Sequence, residues 1–293
     1  MKKKLTLEDR LVDGFCLIIC LIVLFCCLYP FYYLLIMSFN DGTDAMRGGI
    51  YLFPRKFTLK NYFAFFEDAV WFRAFVVTAA RTVVGTVSTV IVTCLVAYGL
   101  SYQRLMFRKV YTSVIIFCMY CSGGLIPYYV VLRSLGLINT FGVYIIPSLL
   151  SLFFVLVGIT FFQGIPPELR EAALIDGSSE FSLFFRIILP VSLPFLATIA
   201  LFSGVGHWNS WFDSAFFVQS PELRTLGYVL MQIINKNTLP TGAAAQVATL
   251  HREVTSKSVQ MAAMVIAVFP IMCVYPFLQK YFVKGGMIGA VKG

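Results

Sequence analysis

Six long stretches of the chain contain no aspartate, glutamate, lysine or arginine, and each is at least 22 residues long. They cover 14–39, 82–103, 110–132, 134–167, 187–212 and 258–279. About 20 consecutive apolar residues allow a helix to cross the hydrocarbon core of a bilayer. The runs are continuously apolar, so they lack the alternation of a transmembrane barrel. The pattern predicts an all-α integral membrane protein with six transmembrane helices.

The six predicted spans belong to a single transmembrane domain, 1–293, and lie at about 14–39, 76–102, 110–132, 141–162, 187–206 and 258–282. The chain begins Met1-Lys-Lys-Lys, and lysine-rich segments beside spans favour the cytoplasmic side. We therefore expect a multi-pass protein of a bacterial cell membrane with both termini cytoplasmic and an uncleaved first span. In this topology 163–189 is a cytoplasmic loop and 206–257 is extracytoplasmic.

Composition supports a membrane location over nucleic-acid binding. Mean hydropathy is +0.84 and only 13% of residues are charged, whereas a soluble domain is about a quarter charged. The net charge of +9 suits a membrane protein with basic cytoplasmic segments. All eight cysteines fall in the apolar stretches, so we expect them to pack in the membrane and not to form disulfides or a metal site.

The chain lacks the residues that several classes of function require. The six stretches contain no carboxylate, which disfavours ion-coupled secondary transport, although that alternative stays open because backbone carbonyls can bind sodium. The chain has only two histidines and no cluster of catalytic groups, so we expect no enzymatic activity. It has no phosphate-binding loop, so energy from ATP must come from another subunit.

The loop between the fourth and fifth predicted spans has the residue pattern of a short helix. Pro166 and Pro167 suit a helix start, and Gly177 suits the position that ends one. Ser178 or Ser179 can cap a second helix, predicted as Glu180–Leu189 and ended by Pro190. The first helix spans about nine residues, or roughly 13 Å. It predicts a small projection that fits a groove on a soluble protein.

The same loop resembles a family motif. Glu171-Ala-Ala-x-x-Asp-Gly177, followed by Ile188-Leu-Pro190, resembles the EAA motif of ABC-transporter permeases. Ala97-Tyr-Gly-Leu100 and the C-terminal Gly-Ala-Val-Lys-Gly293 are similar to the carbohydrate-uptake (maltose-type) branch of these permeases. The segments 206–213 and 275–282 are similar to its LplC/YtcP-like subgroup.

The resemblance implies a type I ABC importer permease fold. It implies a membrane-spanning subunit of an ATP-driven importer of a sugar, an oligosaccharide or glycan fragment, delivered by an extracellular solute-binding (lipo)protein. The other implied partners are a second related permease and a cytosolic ABC ATPase dimer; no nucleic acid is expected. This chain would bind no cofactor, because ATP and Mg would bind the partner ATPase.

The resemblance also implies two contacts with the ATPase. The main one is the EAA loop, through residues Glu168, Arg170, Glu171, Ala172, Ala173, Asp176, Gly177, Ile188, Leu189 and Pro190. The second is the C-terminal tail, through Gly289, Ala290, Val291, Lys292 and Gly293. In the family an outer loop helps to eject sugar from the binding protein, and we map that loop loosely onto 235–249.

Aromatic and amide side chains near the outer surface are candidates for the substrate path or for a contact with the binding protein: Tyr120, Tyr128, Tyr129, Trp208, Asn209 and Trp211. The alternative for each aromatic residue is an interfacial belt. Ser122-Gly-Gly124 and Pro127 interrupt the third span. The interruption is either a break that lines a cavity or an ordinary kink. Arg81 either snorkels or pairs between helices, or it lines the path.

Overall fold

The computed structural model describes residues 7–237 and 255–290, and within these residues the regular structure is helical. The α-helices are α1 Leu7–Ser38, α2 Gly42–Met46, α3 Lys60–Glu67, α4 Ala69–Ser101, α5 Arg108–Tyr120, α6 Leu125–Ser134, α7 Gly142–Ile145, α8 Leu152–Gln163, α9 Pro167–Ile175, α10 Glu180–Leu183, α11 Leu189–Val191, α12 Leu193–Asn209, α13 Phe212–Phe217, α14 Leu226–Asn237 and α15 Ser256–Ala290. Short 3-10 turns lie at Ile146–Ser148 and Pro221–Leu223, and a π-helical turn lies at Phe184–Ile188.

Three of the helices are long and apolar enough to cross a membrane by length and composition, within Arg10–Ser38, Ala69–Ser101 and Lys257–Pro276. Three bent pairs meet the same criterion if each pair counts as one span. The pairs are α5 with α6, bent by 118°, α7 and its 3-10 turn with α8, bent by 43°, and the segment Glu180–Val191 with α12, bent by 83°. Counted this way, the described residues contain six spans, the number expected from the sequence.

The chain divides into two compact units, one formed by 1–69 with 233–269 and the other by 70–232 with 270–293. The first unit holds the C-terminal end of α1 and the segment that follows it. Asn40 and Asn61 are buried there, and Asn61 donates to the backbone carbonyls of Ser38 and Asn40 at 2.9 Å each. These bonds hold α3 against the end of α1.

The second unit has its main apolar core where α4, α8 and α12 meet. Cys94, Ala97, Val155, Ile159 and Phe195 are buried in this core. Gly158 allows the close approach of the helices, because a Cβ atom at this position would lie 2.7 Å from the Cβ of Ala97. The same core extends to Ala173, Leu183, Phe184 and Ile188 of the α8–α12 connection. The loop predicted to carry function is therefore anchored on the spans.

A second apolar cluster in this unit joins α6, α7 and α13 through Leu132, Val143, Tyr144, Phe217 and Val218.

Asn139 links the turn after α6 to the segment after α13. Its backbone has a left-handed φ of 59°, and its side-chain oxygen accepts from the backbone amides of Gln219 and Ser220 at 3.0 and 2.8 Å. An asparagine tolerates this conformation better than most residues.

Candidate functional site

The helix predicted around the EAA motif is α9, Pro167–Ile175. Pro166 has an extended ψ of 129°, Pro167 takes the first helical position, and Glu168 lies in the first turn. Gly177 ends the helix with a φ of 78°, as predicted. Its amide donates to the carbonyl of Leu174 and that of Ser178 to Ala173, which is the hydrogen-bond pattern of a Schellman motif.

The second helix of the loop starts where the sequence predicts and ends later. Ser179 caps it by accepting from the amide of Ser182 at 3.3 Å. The predicted end at Pro190 is wrong, because helical backbone continues through α11 to Val191 and the bend comes at Ser192. The π-helical turn Phe184–Ile188 precedes the proline. Proline's fixed φ is compatible with a helix, although its missing amide and its ring disturb the hydrogen bonding to the preceding turn.

Arg170 of α9 faces its own chain. Its guanidinium donates to the Glu180 carboxylate at the start of α10 and lies over the Tyr102 ring, 4.5 Å from the ring centroid. Partial burial lowers the pKa of Arg170, but the hydrogen bond and negative charge of Glu180 outweigh burial and raise it. Arg170 therefore stays charged and connects α9, α10 and the end of α4.

The other predicted docking residues differ in burial. Ala173 and Ile188 are buried in the core of the second unit, so their side chains support the loop and do not face outward. Leu189 is half-buried. The exposed members are Glu168, Glu171, Ala172, Asp176, Gly177 and Pro190.

Two apolar residues that the sequence reasoning missed lie on the exposed side of the loop. Ile175, at the end of α9, is 85% exposed, and Phe181, in the first turn of α10, is 72% exposed. Ile175 occupies one of the variable positions of the motif, so the motif alone did not single it out. We define the docking surface as Glu168, Glu171, Ala172, Ile175, Asp176, Gly177 and Phe181. It combines carboxylates with two exposed apolar side chains.

A cavity of about 700 Å³ lies behind α9. Tyr98, Tyr102 and Arg104 line it from the end of α4 and the turn after it, and Arg170 and Glu180 line it from the loop. The space separates part of α9 from the spans. The Arg170 contacts therefore bridge a gap that apolar packing does not fill.

The candidates for the substrate path do not form one cluster. Tyr120 is 78% exposed at the end of α5. Tyr129 is half-buried against Phe217, with ring centroids 6.3 Å apart. Trp208 packs edge-on against Phe75 at 6.0 Å, whereas its neighbours Asn209 and Trp211 are exposed.

Tyr128 lies at a second cavity, where the third span breaks. The break falls between α5 and α6, and Gly124 there has a φ of 82°. The cavity measures about 550 Å³ and is lined by Ser122, Tyr128 and Phe212, together with Gly123, Gly124, Leu125, Pro127 and Val131. The interruption of the span thus borders a cavity, which favours the first of the two sequence interpretations.

Arg81 pairs between elements and is 3% exposed. Its guanidinium donates to the Asp213 carboxylate and to the carbonyl of Ser210, and it lies 4.6 Å from the Tyr144 ring centroid. One turn further along α4, Gly85 faces the ring of His207 so closely that a Cβ atom would lie 2.5 Å from it. The sequence left pairing as one alternative for Arg81 but did not identify the partner.

Parts of the predicted site fall outside the described residues. Val291, Lys292 and Gly293 lie outside them, as does most of 235–249. The backbone of α15 reaches Ala290, so Gly289 and Ala290 are helical. Within 7–237 and 255–290 no group of three or more His, Cys, Asp or Glu residues is arranged to hold a metal ion.

Comparison with known proteins relates the whole chain to membrane transport components. The profile of the family "Binding-protein-dependent transport system inner membrane component" matches residues 18–285. "Polygalacturonan/rhamnogalacturonan transport system permease protein YtcP" of Bacillus subtilis (strain 168) is 33% identical over 287 residues, covering 98% of this chain and 99% of that protein. "Protein LplC" of the same organism is 38% identical over 266 residues, covering 90% and 89%.

A solved structure agrees over nearly the same length. It is described as the "Crystal structure of a bacterial ABC transporter involved in the import of the acidic polysaccharide alginate", and it matches with a TM-score of 0.88 and 27% identity. The match covers 96% of this chain and 100% of that one. The expected subgroup and fold class are confirmed.

Proposed function

The chain belongs to the family of binding-protein-dependent transport system inner membrane components, and on that premise we propose that it forms part of the sugar path of an ATP-driven importer. It is a transport subunit and not an enzyme, since ATP hydrolysis in such systems belongs to a separate subunit. The observation that carries the proposal is the loop α9–α10. It presents a short helix with an exposed rim of charged and apolar residues.

The docking surface is proposed to seat in a groove of a cytosolic ABC ATPase. Ile175 and Phe181 supply apolar area that is unfavourable to leave in water, and Glu168 and Glu171 supply charge for orientation. ATP and Mg would bind that partner. Closure of an ATPase dimer would displace α9, and the anchoring of the loop on α4, α8 and α12 would pass the displacement to the spans.

The remaining proposed partners follow from this role. A second related permease completes the path, because the described residues of this chain supply at most six spans. An extracellular solute-binding protein delivers the sugar, and exposed Asn209 and Trp211 are the proposed contacts with it. Both termini are proposed to be cytoplasmic, which places α9 on the ATPase side. The tail 289–293 is a proposed second contact with the ATPase.

We propose an oligosaccharide as the substrate, with fragments of acidic polysaccharides to be tested first. The name of YtcP refers to polygalacturonan and rhamnogalacturonan, and the similar solved structure belongs to a transporter for the import of alginate. Uronic acids are common to these polymers. The cavity at the break of the third span, with Tyr128 and Phe212 in its lining, is the proposed place where a sugar ring stacks.

Uptake measurements test the function. Cells with the gene deleted should lose uptake of labelled oligogalacturonides or alginate oligosaccharides, and the wild-type chain should restore it. Uptake of a neutral malto-oligosaccharide serves as the comparison for substrate class. Depleting ATP while the ion gradients are kept should stop uptake. Uptake that survives ATP depletion and follows an ion gradient would instead support a secondary transporter.

A further inference from the structure

The segment after α1 carries an exposed apolar tip on a rigid base. Tyr51, Leu52 and Phe53 are consecutive and exposed, and Phe53 is 75% exposed. Three adjacent large apolar side chains in water are unfavourable. We define this tip as Tyr51–Phe53. The base consists of the residues whose hydrogen bonds hold the two ends of the tip: Asn40, Asp41, Asp44, Gly48, Arg55 and Lys56.

The base is held by hydrogen bonds around Asn40. The amide of Asp41 donates to the carbonyl of Lys56 at 2.9 Å, and the amide of Lys56 donates to the Asn40 side chain at 2.9 Å. Arg55 adds an ion pair with Asp44 at 3.1 Å and a bond to the carbonyl of Gly48 at 2.6 Å. The tip therefore cannot retract its apolar side chains without breaking this network.

Two tyrosines of α1 bind the tip along the side of the helix. The hydroxyl of Tyr32 donates to the carbonyl of Leu52 at 2.7 Å, and that of Tyr29 donates to the carbonyl of Tyr51 at 3.4 Å. Tyr32 and Tyr29 lie six and nine residues before Ser38, the end of α1. At 1.5 Å per residue the tip thus folds back by about 9–13 Å.

Helix length places this contact at the boundary of the hydrocarbon core. Asp13 is the last charged residue before the apolar run of α1. About 20 residues cross a core of about 30 Å, which brings the far boundary close to Tyr33. The most apolar window of α1 has no residue buried within the chain. No other part of the described chain covers the side of α1 that the tip follows, so lipid can reach it.

We infer that Tyr51–Phe53 inserts into the lipid at this boundary and anchors the end of α1. Backbone carbonyls near hydrocarbon need a donor from the protein, and the hydroxyls of Tyr29 and Tyr32 supply it. Arg47 and Lys56 are exposed on the same segment, and lipid phosphates are the matching anions. This inference rests on the membrane location alone and not on the sugar or the ATPase.

Tryptophan fluorescence tests the insertion. The assembled transporter carrying Phe53→Trp is reconstituted in vesicles of phosphatidylcholine brominated near the glycerol end of its acyl chains. This chain already has three tryptophans, so the emission of the unsubstituted transporter is subtracted. The remaining emission, from the added tryptophan, is measured with and without aqueous iodide. The matched control is Glu67→Trp, at an exposed charged position of α3.

Insertion predicts that the emission added at position 53 is lost in brominated lipid and insensitive to iodide. The emission added at position 67 should persist in brominated lipid and be quenched by iodide. Quenching of position 53 by iodide would overturn the inference in favour of an aqueous surface. Emission insensitive to both quenchers would overturn it in favour of a protein partner that covers the tip.

Discussion

Arg170 and Glu180 form an ion pair across the turn that joins α9 to α10. The arginine also lies over Tyr102, just beyond the end of α4, so one side chain connects the docking helix to two other elements. Tyr102, Arg170 and Glu180 all line the cavity of about 700 Å³ behind α9. A displacement of α9 by a partner can therefore reach the second span through Arg170.

Reversing the charges of this pair tests the connection. Arg170→Glu and Glu180→Arg should each reduce uptake by roughly fivefold, the equivalent of about 1 kcal/mol for a partly exposed ion pair. The double exchange restores opposite charges and should recover most of the activity. Stimulated ATP hydrolysis, measured beside uptake, separates loss of coupling from loss of assembly. A double variant no better than either single one would show that the pair is incidental.

Substitutions in the EAA helix should block docking without preventing insertion into the membrane. Gly177→Asp introduces a side chain at a φ of 78°, where non-glycine residues cost about 1–2 kcal/mol, and Glu171→Lys reverses an exposed charge. Each should abolish uptake and co-purification of the ATPase, with normal amounts of chain in the membrane fraction.

Gly136→Asp is the matched control for Gly177→Asp. Gly136 also has a left-handed φ, 68°, and free space around its Cβ position, but it lies in the turn after α6. The Gly136→Asp protein should still co-purify with the ATPase. Normal uptake and ATPase co-purification with both Gly177→Asp and Glu171→Lys would refute docking through this helix.

Two glycines of α4 should respond differently to alanine. Gly85→Ala places a Cβ atom 2.5 Å from the His207 ring and should destabilise the protein by about 1–3 kcal/mol through overpacking. Gly99→Ala meets nothing within 4 Å and should be neutral or slightly stabilising. Thermal unfolding of the purified proteins in one detergent measures both. Equal melting temperatures would contradict the close contact between α4 and α12.

Two arginines of α4 should also differ. Arg81 is buried and paired with Asp213, so Arg81→Ala should cost about 3 kcal/mol, because the aspartate is left in a partly buried site. Arg73 pairs with Glu222 at the surface, at 3.2 Å, and Arg73→Ala should cost less than about 1 kcal/mol. Denaturant or thermal unfolding gives the comparison. A larger effect at Arg73 would contradict the assigned burial.

The sequence predicted the helical class and the number of spans because long uncharged stretches leave few alternatives in lipid. It predicted an interruption of the third span at Ser122-Gly-Gly124, but not that α5 and α6 meet at 118°, since that angle depends on the residues packed around Gly124. The helix end at Gly177 was predictable from local chemistry. The helix end beyond Pro190 was not, because local chemistry carries no signal for the π-helical turn before it, in which Phe184 and Ile188 are buried in the core.

In the candidate site, too, local sequence predicted the helix, whereas tertiary packing decides which of its residues are exposed. The motif predicted α9 as the contact element but gave each of its residues the same role. Only tertiary structure separates Ala173, which is buried, from Ile175, which is exposed. It also places Arg170 on Glu180, ten residues further along the chain. Ion pairs such as Arg81 with Asp213 join positions so far apart in sequence that spacing carries no signal for them.

Photo-crosslinking from Ile175 tests the central claim most directly. Benzoylphenylalanine replaces Ile175 in the assembled transporter in native membranes, and Ile126 of α6, which is also exposed, carries the probe in a control. Docking predicts an irradiation-dependent product of this chain with the ATPase from position 175 and none from position 126. Absence of that product from position 175, in a complex whose ATP hydrolysis still responds to the binding protein, would contradict docking through α9.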